Sequence, residues 1–273
     1  MFCTKCGANA QPGARFCASC GAPLSVPLAA TPSPNVPAPA HAPTGGAPAV
    51  QASAANAVGP SGLIYLFGDH FVERDTAFTA GEKLPCSEIK VKKKNLTEVM
   101  LAGAFAWLAQ SGRISFSTGQ KGTLIFKRTA AFVTVLRRDA DDPGGLESSI
   151  LHAISGNLQT DSVEDVVYRV IPNTSVDPWG DVVDIARNHL FKMGFFQEGE
   201  RSGVVKFLAG RKLVPLCDRI ATLQPGIGAA QALLQSIQLG NPALYRLLHD
   251  DIRKGIDSRY EAPDTDSISS SSD

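Results

Sequence analysis

Residues 95–118 read NLTEVMLAGAFAWLAQSGRISFST, and this stretch sets the architecture. From Asn95 to Gly112 the pattern is helical. Asn95 can cap the N-terminus, Glu98 stands at the third helical position as in a capping box, and Ser111-Gly112 supplies the exit. Val99 to Leu108 is apolar on every side, so this helix should be buried on most faces. Arg113 to Thr118 then alternates polar and apolar residues, Gly119-Gln-Lys-Gly122 offers a turn, and Thr123 to Lys127 returns. That order predicts a β-hairpin.

The same order recurs downstream. Asp177-Pro178 gives a cap followed by proline at the first helical position, Trp179 to Met193 is amphipathic, and Gly194 ends the helix. Phe195-Phe196, a polar turn from Gln197 to Gly203 and Val204 to Leu208 then predict a second hairpin. Between the two units, Leu146 to Ile154 and Val163 to Ile171 read as helices. Beyond them lie Gly226 to Gln238 and Pro242 to Ile256, the latter capped by Asn241. Gly62 to Phe71 reads as a strand or short packed segment. The fold class expected is α+β: a mainly helical body with two β-hairpins, in tandem helix-hairpin units like those of winged-helix proteins.

The N-terminus carries the strongest motif. Cys3, Cys6, Cys17 and Cys20 form two Cys-x-x-Cys pairs, and FCTKCGA is echoed by FCASCGA. Two thiolates three residues apart can grip one metal ion, and four with no open position favour a closed structural Zn2+ site. Residues 2 to 23 look like the short zinc ribbons found at the start of many bacterial and archaeal proteins, a resemblance that implies a contact module and names no partner. So short a segment buries no core, and zinc should supply on the order of 10 kcal/mol of its folding free energy. Cys86 and Cys217 stand alone and read as small buried residues.

Four segments follow. Residues 1–23 form the ribbon. Residues 24–60 form a Pro/Ala-rich linker: from Gly21 to Pro60 there are nine Pro and twelve Ala, with His41 the sole ionisable side chain. Such a stretch should be an extended, disordered tether. Residues 61–261 form the binding body and 262–273 an acidic Ser-rich tail. MFCTKCGANA offers no secretory signal, and the apolar run from Val99 stops before Gln110, short of the roughly 20 residues of a membrane span. The expectation is a cytoplasmic protein, peripheral to a membrane if bound to one.

The chain holds 26 basic and 26 acidic residues, but their distribution is uneven. Residues 90–138 carry ten Lys/Arg against Glu98 alone, while residues 139–185 carry ten Asp/Glu against Arg169 alone. Either the basic block faces an anionic partner, or the two blocks neutralise each other within the fold. Lys92, Lys93, Lys94, Lys121, Lys127 and Arg128 are the candidates for the partner contact. That partner could be a membrane surface, an acidic protein surface, nucleic acid, or a second copy met through the basic hairpin.

A second resemblance lies in the order of elements from about residue 96 to 245. An apolar helix ending in Ser-Gly-Arg-Ile (111–114), a basic hairpin, Asp141-Asp-Pro-Gly-Gly145, a helix from Leu146 and a later helix ending in Lys192-Met-Gly-Phe-Phe196 resemble the Golgi phosphoprotein 3-like family. That resemblance implies a mainly helical fold, a hairpin used in self-association and, in eukaryotic members, phosphoinositide binding. Where the family places headgroup-binding arginines this chain has Leu101, Gly180 and Val183, which hold no phosphate. Specific phosphoinositide binding is therefore not carried over.

No catalytic constellation stands out. Asp139, Asp141 and Asp142 lack the glycine and distal glutamate of a calcium loop, and His41, His70, His152, His189 and His249 stand in no zincin or nucleophile-elbow context. The reading is a non-enzymatic adaptor. A DNA-associated regulator is the alternative, weakened by a first helix without a basic residue from Thr97 to Gln110.

Overall fold

The computed structural model describes residues 49–76, 81–123, 126–138, 144–155, 160–199 and 212–261. The chain divides into Met1–Gly46 and Ala47–Asp273, and every described residue belongs to the second unit. The zinc-ribbon cysteines, most of the tether and the acidic tail lie outside the described residues.

Helix α1 spans Ala49–Leu66 and α2 spans Lys93–Gln110. Leu96, Met100, Leu101, Ala104, Phe105 and Leu108 of α2 have no exposed surface, as an all-round apolar sequence requires. The helix begins before the expected cap. Lys92 occupies the cap position without a side-chain bond, and Asn95 lies within the first turn. Glu98 closes no capping box, because it accepts two hydrogen bonds from Arg253, both at 3.0 Å, and a tertiary partner replaces the local one.

α1 corrects two readings. Residues 49–60, assigned to the tether, are helical, and Gly62 to Leu66 continues that helix instead of forming a strand, before a 3-10 turn at Gly68–His70. Leu63, Ile64, Tyr65 and Leu66 are all buried, so the segment packs on every side, and an apolar run of that kind has no period to separate strand from helix. The backbone breaks at Gly59, whose φ is +72°, before Pro60 restarts the helix. A Cβ at Gly59 would approach the Glu147 carboxylate to 3.0 Å, so glycine serves both the turn and the close approach.

A short antiparallel pair, β1 (Glu82–Lys83) and β2 (Lys90–Val91), precedes α2. After α2 come β3 (Ile114–Lys121) and β4 (Arg128–Val135), paired from Ile114↔Val135 to Lys121↔Arg128, and β5 (Thr160–Ser162) adds to the far side of β4. The hairpin is longer than its sequence suggested. Gly119, expected in the turn, pairs with Ala130 inside the ladder, and the return strand begins at Arg128 instead of Thr123. A Cβ on Gly119 would meet the Phe132 ring at 2.9 Å, so this glycine makes room for an aromatic ring.

The remaining helices are α3 (Gly145–Ala153), α4 (Val163–Val170), α5 (Pro178–Lys192), α6 (Cys217–Ala221), α7 (Ile227–Gly240) and α8 (Pro242–Glu261). Their caps follow the sequence: Asp177 accepts from the Gly180 N–H at 3.1 Å and Asn241 from the Leu244 N–H at 3.0 Å. After α5, β6 (Phe196–Glu198) pairs with β7 (Leu213–Pro215). β6 pairs with Leu213–Pro215, and Val204 to Leu208, expected as a return strand, lies outside the described residues. Small antiparallel sheets on a mostly helical body make the α+β class expected. One core joins α1, α2, α3, α4, α5 and α8, with Ile64, Phe105, Ile150, Val167, Val183 and Ile252 among its fully or nearly fully buried members. Among the described residues no helix is long and apolar enough to cross a membrane.

Candidate partner-binding surface and a disulfide-walled cavity

The six basic candidates separate into two groups. Lys93, Lys121 and Arg128 are held within the fold. The Lys93 ammonium lies 2.6 Å from Asp177. Lys121 reaches Asp165 at 2.7 Å, Glu164 at 3.1 Å and the Ser162 hydroxyl at 2.9 Å. Arg128 spans two helices, pairing with Glu164 of α4 and with Asp251 of α8 at 2.6 Å. Asp251 is fully buried, and its other oxygen accepts the Ala131 N–H at 2.7 Å.

Three of the ten cations of the basic block therefore meet the acidic block inside one molecule. Burial works against the charge on Asp165 and Asp177. Hydrogen bonds from Lys121 and Ser162 to the first, and from Lys93 and the Gly180 N–H to the second, outweigh it and lower both carboxyl pKa values.

Lys92, Lys94 and Lys127 remain exposed. Lys94 lies 5.2 Å above the Trp179 ring, while Lys92, Lys127 and the neighbouring Lys90 make no ion pair among the described residues. Phe126, beside Lys127, is 79% exposed. Two ion pairs tie the elements that carry these cations to α8. On α8, Asp251 holds Arg128 at the mouth of the β3–β4 turn, and Arg253 holds Glu98 in the opening turns of α2.

A second feature escaped the sequence. Cys86 and Cys217, read there as isolated and buried, are exposed and joined in a disulfide, with Cα atoms 5.4 Å apart and a sequence separation of 131. The bond stands between two cavities. One, of about 680 Å³, has Tyr65, Arg187 and Phe196 on its floor and Lys83, Glu88 and Lys212 around its rim. The other, of about 430 Å³, is lined by both cysteines with Phe67, Asp69 and Asp218.

Arg187 organises the larger cavity. It donates to the Tyr65 hydroxyl at 2.9 Å and to Glu82 at 2.6 Å, and it pairs with Asp184. Burial raises the pKa values of Tyr65 and Glu82 despite the nearby guanidinium. Five separate segments contribute to this lining, and no linear motif announces it. The two unassigned cysteines were the one signal in the sequence.

No group of three or more metal-ligating side chains assembles among the described residues, and Asp139, Asp141 and Asp142 lie outside them. His249 stands 3.7 Å from Glu98, in a polar cluster between α2 and α8 that also includes Arg253. Residues 2–24 match the family model of the zinc-ribbon domain. No curated protein and no solved structure matches the chain. The chain thus carries a zinc-ribbon domain and is a zinc-binding protein by that domain. A set of four cysteines in two Cys-x-x-Cys pairs is the donor chemistry such a domain needs.

Proposed function

We propose that this chain is a non-enzymatic adaptor of the cytoplasm, in which Cys3, Cys6, Cys17 and Cys20 hold one Zn2+ and the body docks on an anionic membrane surface. The observation that carries this reading is that Lys90, Lys92, Lys94 and Lys127 are exposed while Lys93, Lys121 and Arg128 of the same block are turned into the fold, with Phe126, 79% exposed, beside Lys127. Exposed lysines and an exposed aromatic side chain suit a negatively charged surface with an apolar interior, where each cation near the surface is worth about 1 kcal/mol. The order of elements that resembles the Golgi phosphoprotein 3-like family supports the same reading. The ribbon would add a second contact, its local concentration set by the tether.

The alternative is a DNA-associated regulator. A helix that reads DNA must expose a face to the groove. α2 is buried through most of its length, which leaves the hairpin turn as the contact.

Co-sedimentation of the zinc-loaded full chain with vesicles tests the proposal. Binding is expected to phosphatidylserine-containing vesicles and not to pure phosphatidylcholine. It should weaken with salt and be abolished when Lys90, Lys92, Lys94 and Lys127 are all changed to Glu, with the circular dichroism spectrum unchanged. Absence of binding at low salt overturns the proposal, and salt-sensitive retention on a random DNA duplex would then install the alternative. Metal analysis should find one zinc per chain, lost on Cys3→Ser with Cys6→Ser.

A further inference from the structure

We propose that Cys86 and Cys217 form a reversible thiol–disulfide site that opens and closes one wall of the 680 Å³ cavity. Three observations carry this inference.

The first is access. Both cysteines are exposed and both line the neighbouring 430 Å³ cavity, so an external thiolate can reach the bond.

The second is independent anchoring on either side. Around Cys86, Leu84 and Val91 are buried, the Leu84 N–H bonds the Ile89 carbonyl at 3.0 Å, and Glu82 is held by Arg187. Around Cys217, the Leu216 N–H bonds the Phe195 carbonyl at 2.9 Å and Ile220 is buried. Cutting the bond therefore frees the loop tip at 85–88 without withdrawing its roots from the core. Beyond the disulfide, the tip is held by the buried Pro85 at its root, a local bond from the Ile89 N–H to the Ser87 hydroxyl at 2.9 Å, and the exposed Lys83–Glu88 pair, a weak one.

The third is the backbone at Cys86, where φ is +56°, the one positive value at a non-glycine residue among the described residues. An L-residue prefers to leave that region, so the tip relaxes once the bond no longer holds it.

The chemistry is closed. A thiolate of an external dithiol attacks one sulfur and the S–S bond breaks. A mixed disulfide forms, and the other cysteine leaves as a thiolate that takes up a proton. The second thiol of the reductant then displaces the first cysteine, which is protonated in turn, and the reductant departs as its own disulfide. Two electrons and two protons pass to the protein. The larger cavity loses the covalent tie between the tip bearing Glu88 and the segment after Pro215, and its rim opens to ligands.

The test uses the zinc-loaded full chain equilibrated in dithiothreitol buffers of graded ratio of reduced to oxidised reagent. Alkylation is followed by peptide mass spectrometry at Cys86 and Cys217, and hydrogen exchange is read on the same samples. Both cysteines should become alkylated together and reversibly. Exchange at 84–89 and 213–218 should rise about tenfold or more while α2 stays protected. Cys86→Ser with Cys217→Ser should show the same raised exchange without reductant. Alkylation of both cysteines in oxidised protein, reduction only alongside loss of α2 protection, or unchanged exchange on reduction would each overturn the proposal.

Discussion

The two helix-hairpin units begin in the same way and are secured by different chemistry. In the first, Gly112 at φ +69° ends α2, the Arg113 N–H reaches back to the Leu108 carbonyl at 2.9 Å, and the Arg113 carbonyl accepts the Leu136 N–H at 2.8 Å. In the second, Gly194 at φ +77° ends α5, the Phe195 N–H reaches the Leu190 carbonyl at 2.9 Å, and the Phe195 carbonyl accepts the Leu216 N–H at 2.9 Å. The glycine supplies the left-handed turn that closes the helix in each case. Thereafter they diverge. The β3–β4 ladder is eight residues long on each strand and is tied to α4 and α8 by Lys121 and Arg128. The β6–β7 ladder is three residues long and leads directly into Cys217 and the disulfide. A short ladder is weak alone, so local sequence starts a hairpin and a long-range anchor decides whether it holds.

Breaking the covalent anchor should cost most. A crosslink closing a loop across 131 residues of sequence restricts the unfolded chain by about 5 kcal/mol in the chain-entropy account. Cys86→Ser with Cys217→Ser should therefore lower the urea midpoint of the body while its far-ultraviolet circular dichroism at zero denaturant stays that of a folded chain. An unchanged midpoint would mean that the bond constrains nothing.

Breaking the ionic anchor comes next. Arg128→Ala leaves Asp251 buried with the Ala131 N–H and no cation, a loss of about 3 kcal/mol. Arg128 keeps some exposure, which places the figure at the lower end for a buried pair. Adding Asp251→Ala should restore part of the loss, because the uncompensated charge goes with it. A double variant no better than Arg128→Ala would show that the pair acts through packing alone.

What the sequence disclosed follows this same division. Asp177-Pro178, Gly194 and Asn241-Pro242 act within one helical turn, and the structure places them as caps and exit. The repeated helix-hairpin order was equally legible. Signals whose meaning depends on a distant partner were not. Gly119 looked like a turn residue because its reason for being glycine is Phe132 across the ladder. Asn95 looked like a cap because nothing local shows Glu98 turned toward Arg253. Leu213–Pro215 was not singled out as the partner of β6, because periodicity reports a strand's pattern and not its pairing. In the partner surface, the charge blocks were plain, but which lysines Asp177, Glu164 and Asp251 would occupy depended on the packing of α4, α5 and α8. Both halves of the disulfide could be seen, and their meeting could not.

Glu147 offers the smallest test and a third kind of anchor, neither covalent nor ionic. It lies on α3, between the two units, and its carboxylate accepts the Ser61 N–H at 2.9 Å and the Ser61 hydroxyl at 2.7 Å, where α1 restarts after Gly59. It is almost wholly buried, and burial pushes its pKa up against the pull of those bonds. A carboxyl whose folded pKa exceeds its unfolded value keeps its proton in the folded chain after the unfolded chain has released it. Its contribution to stability is therefore full below the unfolded pKa and is lost as the pH rises through the folded one. Glu147→Gln keeps an oxygen for the Ser61 N–H and gives the Ser61 hydroxyl a donor, so the anchor survives without the titration. Going from about pH 7 to about pH 5, the wild-type chain should gain stability relative to this variant. Urea unfolding at the two pH values measures it. If the difference between the chains were the same at both, the Glu147 proton would play no part in joining α1 to α3, and the anchor would rest on hydrogen bonding alone.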